Sequence, residues 1–313
     1  MSTRESVSAA SSGGTTAVAE PGTAGAASSP RKRGDFLYYG LRNKKLLFGL
    51  TLELLLVLFA IIGPMIAKFG PLSLPLIPSQ YAHPNGTHWL GTTSLGYDVF
   101  SQLANGIRES YLVGLIGAIS AAVVGMALGF AAGWRGGWLD EVLQMITNIV
   151  VMIPALVLLV VIGSYLNSRS VFFEGLFIGL TTWPWVARAV RAQTFTLRAR
   201  EFVDLARLSG KRPIQIIIRD IAPNMASYLF LVVILLFGSS MLLAASYDFL
   251  GLGPTGIVSL GTMMNQAQAD AALNLHLWWW FVPPGVVLGL MVVALLIANV
   301  GLDEVFNPKL REQ

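Results

Sequence analysis

The chain has 313 residues, a formal net charge of +4 and no cysteine; 54% of its residues are hydrophobic and only 12% are charged. A soluble domain carries about 25% charged residues, so half that share, together with long apolar runs, places the chain in the membrane class. The absence of cysteine excludes a disulfide framework, thiolate catalysis and cysteine-based zinc or iron–sulfur sites.

In chain order, residues 1–30 are mostly Ser, Ala, Gly and Thr and cannot bury enough surface to offset their ordering entropy. They also lack the apolar core of a signal peptide. The expected division is a disordered cytoplasmic tail over 1–34 and one transmembrane domain over 35–313. A helix needs about 20 mainly apolar residues to cross the hydrocarbon core. Six runs meet this approximately: 46–67, 111–133, 144–165, 171–187, 226–246 and 279–301. The fourth is the shortest and carries Pro184. Lys and Arg accumulate on the cytoplasmic side. With the N-terminus inside, 18 of the 21 Lys and Arg fall on that side, and only Lys68, Arg108 and Arg169 lie outside. The predicted topology is therefore six spans in the cytoplasmic membrane with both termini cytoplasmic. The same distribution accounts for the basic balance and argues against a nucleic-acid partner.

Between the fourth and fifth runs lies the charged block 201-EFVDLARLSGKRPIQIIIRDIAPN-224. It reads as two helices, 199–208 and 213–221. Gly210 suits the left-handed residue that ends the first, and Pro213 suits the first turn of the second. Ile214, Ile217, Ile218 and Ile221 recur with helical spacing, which predicts one apolar face. Pro223 disfavours continuation into the next span. From the residues alone, a helix–turn–helix elbow and an amphipathic segment resting on headgroups both remain open.

The block resembles the EAA loop of the permease subunits of binding-protein-dependent ABC transporters. Asp204-Leu205-Ala206, Gly210 and Pro223 stand at the motif positions, with Asp204 for Glu and Leu205 for the first Ala. Three further stretches resemble the C-type permease of the dipeptide, oligopeptide and nickel uptake branch. In 83-HPNGTHWLGTTSLGYDVFSQLANGIRESYLVG-114, His88, Gly91, Thr92, Gly96, Asp98, Ser101, Gly106, Arg108 and Ser110 are in register with the family signature. Trp89, Thr93, Tyr97 and Gln102 depart from it. The other two are 247-YDFLGLGPTGIVSLGTMM-264 and 302-LDEVFNPKLR-311.

The resemblance implies an all-α permease subunit of an ATP-driven importer of peptides, working by alternating access beside a homologous second permease. Nickel or another small solute is the alternative cargo, and an ion-coupled secondary transporter the alternative class. Two cytoplasmic ATPase chains would bind ATP and Mg; this chain would hold no cofactor and no metal, and would not itself be an enzyme. An external substrate-binding protein would dock near 68–110 and 247–277. Glu201, Asp204, Ala206, Arg207, Gly210 and Pro223 would form the ATPase-coupling joint. Asp98, Arg108, Gly251 and Gly253 would shape the external mouth. The chain's one Gly-Lys pair, Gly210-Lys211, lacks the P-loop pattern, so the ATPase must be a separate chain.

Other signals carry paired readings. Glu53, inside the first span, is either a gate or contact to a partner permease, or a locally paired carboxyl. Glu174 is placed at the outer edge of span four, within reach of headgroups or water. The series Gly251, Gly253, Gly256 satisfies a dinucleotide pattern but follows no strand, and reads as a turn or the pathway mouth. Asn85-Gly86-Thr87 is a lone glycosylation sequon. His83, His88 and His276 lack trustworthy metal-ligand spacing. Trp278, Trp279 and Trp280 read as an interfacial belt, as do Trp183 and Trp185. Gly117, Gly125 and Gly129 permit close helix contact, with a partner or along a moving seam.

Overall fold

The computed structural model describes residues 38–74, 79–165 and 169–306. The tail over 1–34 and the end of the 302–311 motif lie outside the described residues. Among the described residues the regular elements are helices, joined by one isolated antiparallel bridge between Thr92 and Asp98. Helix α1 spans Lys44–Ile66 and α2 Val99–Arg135; α3 spans Gly137–Met152 and α4 Ala155–Tyr165; α5 spans Val171–Arg198. A short pair follows, α6 (Glu201–Leu208) and α7 (Pro213–Ile216), then a π-helical turn (Ile217–Ile221) and a single turn α8 (Ala222–Asn224). Helix α9 spans Ala226–Phe249, α10 Leu260–Ala269 and α11 Trp278–Phe306.

Every expected span lies within or across these helices. Helices α1, α2, α9 and α11 are long and apolar enough to cross a membrane, and α3 with α4 makes a fifth if the bent pair is one span. The fold is thus all-α and polytopic. The expected single span 144–165 is instead two helices bent by 83°. The cause is Pro154: the residue before a proline is pushed out of the α region, and Ile153 is extended with ψ 123°. Pro184, by contrast, sits inside a continuous α5. That helix has 28 residues and joins an apolar first half to a second half bearing Arg188, Arg191 and Arg198.

The central contact is α2 along α5, made through glycine. A Cβ at Gly125 would lie 2.8 Å from the Trp183 carbonyl, one at Gly129 2.7 Å from the Ala187 carbonyl, and one at Gly133 2.8 Å from the Arg191 carbonyl. Further along the pair, Gly175 of α5 returns the fit against Ile116. The four-residue spacing is a ridge along α2, and the missing side chains let the backbones meet. Gly125 and Gly129 therefore pack α2 against α5 of this same chain. A second such contact joins α1 to α11, where a Cβ at Gly301 would lie 2.6 Å from Leu46 Cα. There Glu304 accepts from Asn43 Nδ2 at 2.7 Å and from Lys45 Nζ at 2.5 Å.

The tryptophan belt is corrected by the packing. Trp279 and Trp280 are 2% and 1% exposed, while Trp278 is exposed at 53%. The segment 79–98 folds over them: Trp279 Nε1 donates to the Thr92 carbonyl at 3.4 Å, and its ring lies 4.4 Å from His83. Trp183 is likewise buried, leaving Trp185 at the surface. Gly129→Leu should destabilise the purified chain by about 1–3 kcal/mol through overpacking. Gly289→Ala, with nothing within 4 Å of its Cβ, should leave the thermal unfolding midpoint unchanged or raised.

Candidate functional site

Helices α3, α4, α5, α9 and α11 enclose a cavity of about 550 Å³. Its apex is the break at Ile153-Pro154, and Trp185, Leu235, Leu242 and Leu296 contribute walls. The polar side chains there are Thr181, Thr182 and Ser239. Each donates its hydroxyl hydrogen to its own helix, the threonines to the Ile178 carbonyl at 2.9 and 2.8 Å and Ser239 to Leu236 at 3.0 Å. The lining therefore offers an apolar surface without fixed charge.

Below one end of this region lies the elbow of α6 and α7. Its turn is a Schellman cap: Lys211 N donates to Ala206 O at 3.3 Å and Gly210 N to Arg207 O at 3.0 Å. Gly210 has φ +72°, as its place in the sequence predicts. Lys211 Nζ reaches across the turn to both oxygens of Asp220 at 2.9 and 3.0 Å. Val203, Ala206, Ile216, Ile221 and Met225 are buried against α2, α5 and α9. Arg207 donates to Asp204 at 2.9 Å and stacks over Trp134 at the end of α2, 5.1 Å from the ring centroid. Glu201 and Pro223 are exposed.

The expected apolar face of the second elbow helix is corrected. Ile216 and Ile221 are buried, while Ile214 and Ile218 are 58% and 61% exposed. The π turn is the cause: Ala222 N bonds back five residues to Ile217 O, which adds a residue to the turn and shifts the register. Helical structure also continues through Pro223, and the break comes at Met225. Proline removes a hydrogen bond and crowds the carbonyl four residues back, and the widened turn just ahead of it opens that ladder. The exposed face of the elbow then carries Leu205, Leu208, Ile214 and Ile218, with Leu208 at 86% exposure.

At the opposite end, the motif around residues 83–114 is a folded plug. His88 Nδ1 and Asp98 Oδ1 lie 2.9 Å apart, both side chains buried. Asp98 Oδ2 accepts from Ser101 N at 2.9 Å and from the Ser101 hydroxyl at 2.7 Å, capping α2. Asp98 thus lies inside the plug and not on an exposed mouth. Asn85 of the sequon is held in the same turn, its Oδ1 accepting from Thr87 N and His88 N at 2.8 and 2.9 Å. Arg108 is exposed and lines a second cavity of about 570 Å³ with Glu53 and Tyr111. Within that cavity the Tyr111 hydroxyl and Glu53 Oε2 are both buried and interact with each other. Gly251 (φ +78°) turns the chain out of α9, and its carbonyl accepts from Arg169 Nη1 at 3.2 Å.

Glu174 is 7% exposed, which corrects its expected place among headgroups or water. It faces Asp248, a buried carboxyl that the sequence reading missed by ending the fifth span at 246. The signal was an acid directly before a Gly-rich turn and directly after an apolar helix. The arginines in the second half of α5 also have assigned work: Arg191 holds Asp140 of α3 through Nε and, at 2.5 Å, through Nη2, and Arg198 Nη1 donates to Trp134 O at 2.6 Å.

Asp98→Ala should cost about 2–3 kcal/mol, since it removes a helix cap and leaves buried His88 without its acceptor. Asp98→Asn, which still accepts at the cap, should lose less. Chemical denaturation, with limited proteolysis of 79–98 as the local readout, checks the order.

Comparison with known proteins matches residues 125–312 to the model of the binding-protein-dependent transport system inner membrane component. A putative peptide permease protein of Brucella suis biovar 1 is 31% identical over 270 residues, covering 86% of this chain and 88% of that protein. The oligopeptide transport system permease protein OppC of Mycobacterium bovis is 30% identical over 282 residues, covering 87% and 92%. A putative peptide transport system permease protein of Brucella abortus is 29% identical over 276 residues, covering 87% and 90%. With the multi-pass apolar helices already described, these matches mean that the chain belongs to the family of binding-protein-dependent transport system inner membrane components.

Proposed function

We propose that the chain is the permease subunit of an ATP-driven ABC importer of peptides, pairing with a homologous permease. Separate ATPase chains dock below on the elbow, and a substrate-binding protein delivers cargo from outside. Family membership makes the chain a transport component and not a catalyst, and the relatives named as peptide and oligopeptide permeases support the cargo. The observation that carries the coupling reading is the two-faced elbow: one face is buried in the bundle, and the other holds Leu205, Leu208, Ile214 and Ile218 exposed. Exposed apolar groups clustered on a rigid turn mark a protein-docking surface.

In this reading the elbow is cytoplasmic, and both termini lie on that side. ATPase closure pushes Asp204, Ala206 and Gly210, with Glu201 and Arg207 as rim contacts and Pro223 at the fixed end. The push passes through Val203 and Ile216 to α2, α5 and α9, whose neighbouring cavity has walls without fixed charge. Such walls suit peptides of varied side chains, because no one charge is held in transit. Alternating access then follows from a ligand, here ATP on the partner, that binds one arrangement better than the other.

The test is to purify the tagged chain in mild detergent and identify what accompanies it by mass spectrometry. A second permease and ATPase chains are expected. Leu208→Asp with Ile218→Asp should reduce ATPase recovery at least tenfold, while stability shifts by about 0.5 kcal/mol or less, as for exposed positions. Gly210→Val should act through strain at its positive φ, costing about 1–2 kcal/mol locally. A chain that runs alone with no ATPase sinks the importer reading and turns attention to ion-driven transport through Glu53.

A further inference from the structure

At the far end of the bundle from the elbow, two carboxyls face each other with no cation between them. Glu174 lies in the first turn of α5, and Asp248 one residue before the end of α9. The two carboxyls act directly on each other where α5 meets α9. Glu174 is 7% and Asp248 1% exposed. Among the described residues no donor reaches either Glu174 oxygen or Asp248 Oδ1, while Asp248 Oδ2 accepts the Ser259 hydroxyl. Asp248 is closely packed by two glycines: a Cβ on Gly253 would lie 2.8 Å from its Cγ, and a Cβ on Gly261 would lie 2.5 Å from its Cβ.

The basic group beside the pair is Arg169, which lines the same small pocket as Glu174 but, among the described residues, hydrogen-bonds to neither acid. On α9 the titratable neighbour is Tyr247, whose hydroxyl lies against Gly163 of α4. Ahead of α5, Arg169 is exposed and spends a donor on Gly251 O at 3.2 Å. Helix α2 presents Ile116 and the Val113 carbonyl beside Gly175, and α10 presents Ser259 and Thr262. Two bare carboxylates in such a place repel each other and leave three oxygens without donors. One proton removes the repulsion and pairs two of the three oxygens: the acid O–H of one group donates to a carboxylate oxygen of the other, and the pair keeps a single negative charge. A calcium ion would instead want about six to eight oxygen ligands, more than this pocket offers.

We propose that Glu174 and Asp248 bind one shared proton, and that this proton latches α5 to α9 at the end of the bundle away from the elbow. The latch belongs to the packing of this chain and is independent of the cargo and of the ATPase. In the unfolded chain both groups ionise near pH 4 and hold no proton at neutral pH. The folded chain then binds one proton more than the unfolded one, so stability falls as pH rises through the loss of that proton.

The full chain in detergent is melted from about pH 6 to about pH 9. The unaltered protein should lose about 3 °C or more of its midpoint across that range. Glu174→Gln puts a permanent amide donor against the Asp248 carboxylate and should flatten the slope; Asp248→Asn should do the same from the other side. In a Glu53→Gln background, the infrared spectrum at neutral pH should show a buried protonated carboxylic acid that Glu174→Gln removes. Equal pH slopes in the unaltered chain and both variants overturn the proposal. So does a midpoint raised by added sodium or calcium only when both acids are present, since that makes the occupant a metal cation. If neither variant folds, the infrared spectrum of the Glu53→Gln chain decides, and absence of the acid band overturns the latch.

Discussion

The backbones of α2 and α5 touch because Gly125, Gly129 and Gly133 leave nothing between them. In a bilayer, lipid tails are as apolar as leucine, so helices gain little from burying apolar surface against each other. Close approach, with its many dispersion contacts, has to supply the cohesion. A seam of this kind is stiff, since a packed contact between glycine and carbonyl has no flexible side chain to give way. Both ends of the molecule hang on it. At one end Trp134 closes α2 and receives Arg198 from the last turn of α5 and Arg207 from the elbow; at the other, Asp98 starts α2 inside the folded plug.

That arrangement makes the α2–α5 pair a strut between the elbow and the plug. The cavity lies beside the strut, bounded by elements joined to it less closely. The break at Pro154 is part of that boundary: it turns α3 away from α4 and leaves a corner that no side chain fills. Fixed charges around the strut are spent on holding it, as with Arg191 on Asp140, and so do not intrude on the apolar walls.

Much of this was legible in the residues. Hydropathy located the four long apolar helices and the bent pair, and Gly210 marked the elbow turn because only a left-handed residue closes a Schellman cap there. Glycine spacing on α2 announced a close contact but not its partner, since spacing says nothing about what lies opposite. The failures share a physical cause. The tryptophan belt and the exposure of Glu174 were judged from depth along a helix, whereas burial depends on what the loops cover. Plug residues 79–98 bury Trp279, and the turn after α9 encloses Asp248. The isoleucine face failed because a period of 3.6 was assumed across a turn that bonds five residues back.

The wide turn at Ile217–Ile221 decides which way the elbow's exposed face points. Each residue of an α-helix rotates its successor by about 100°. A π turn therefore acts as a one-residue shim between the elbow and the span that follows. It sets Ile214 and Ile218 outward while Ile221 and Met225 stay inward. The direction in which the exposed face points is thus fixed by a residue count between two faces that are chemically alike. Deleting one isoleucine from Ile217–Ile221 would change composition hardly at all and yet re-aim that whole apolar face.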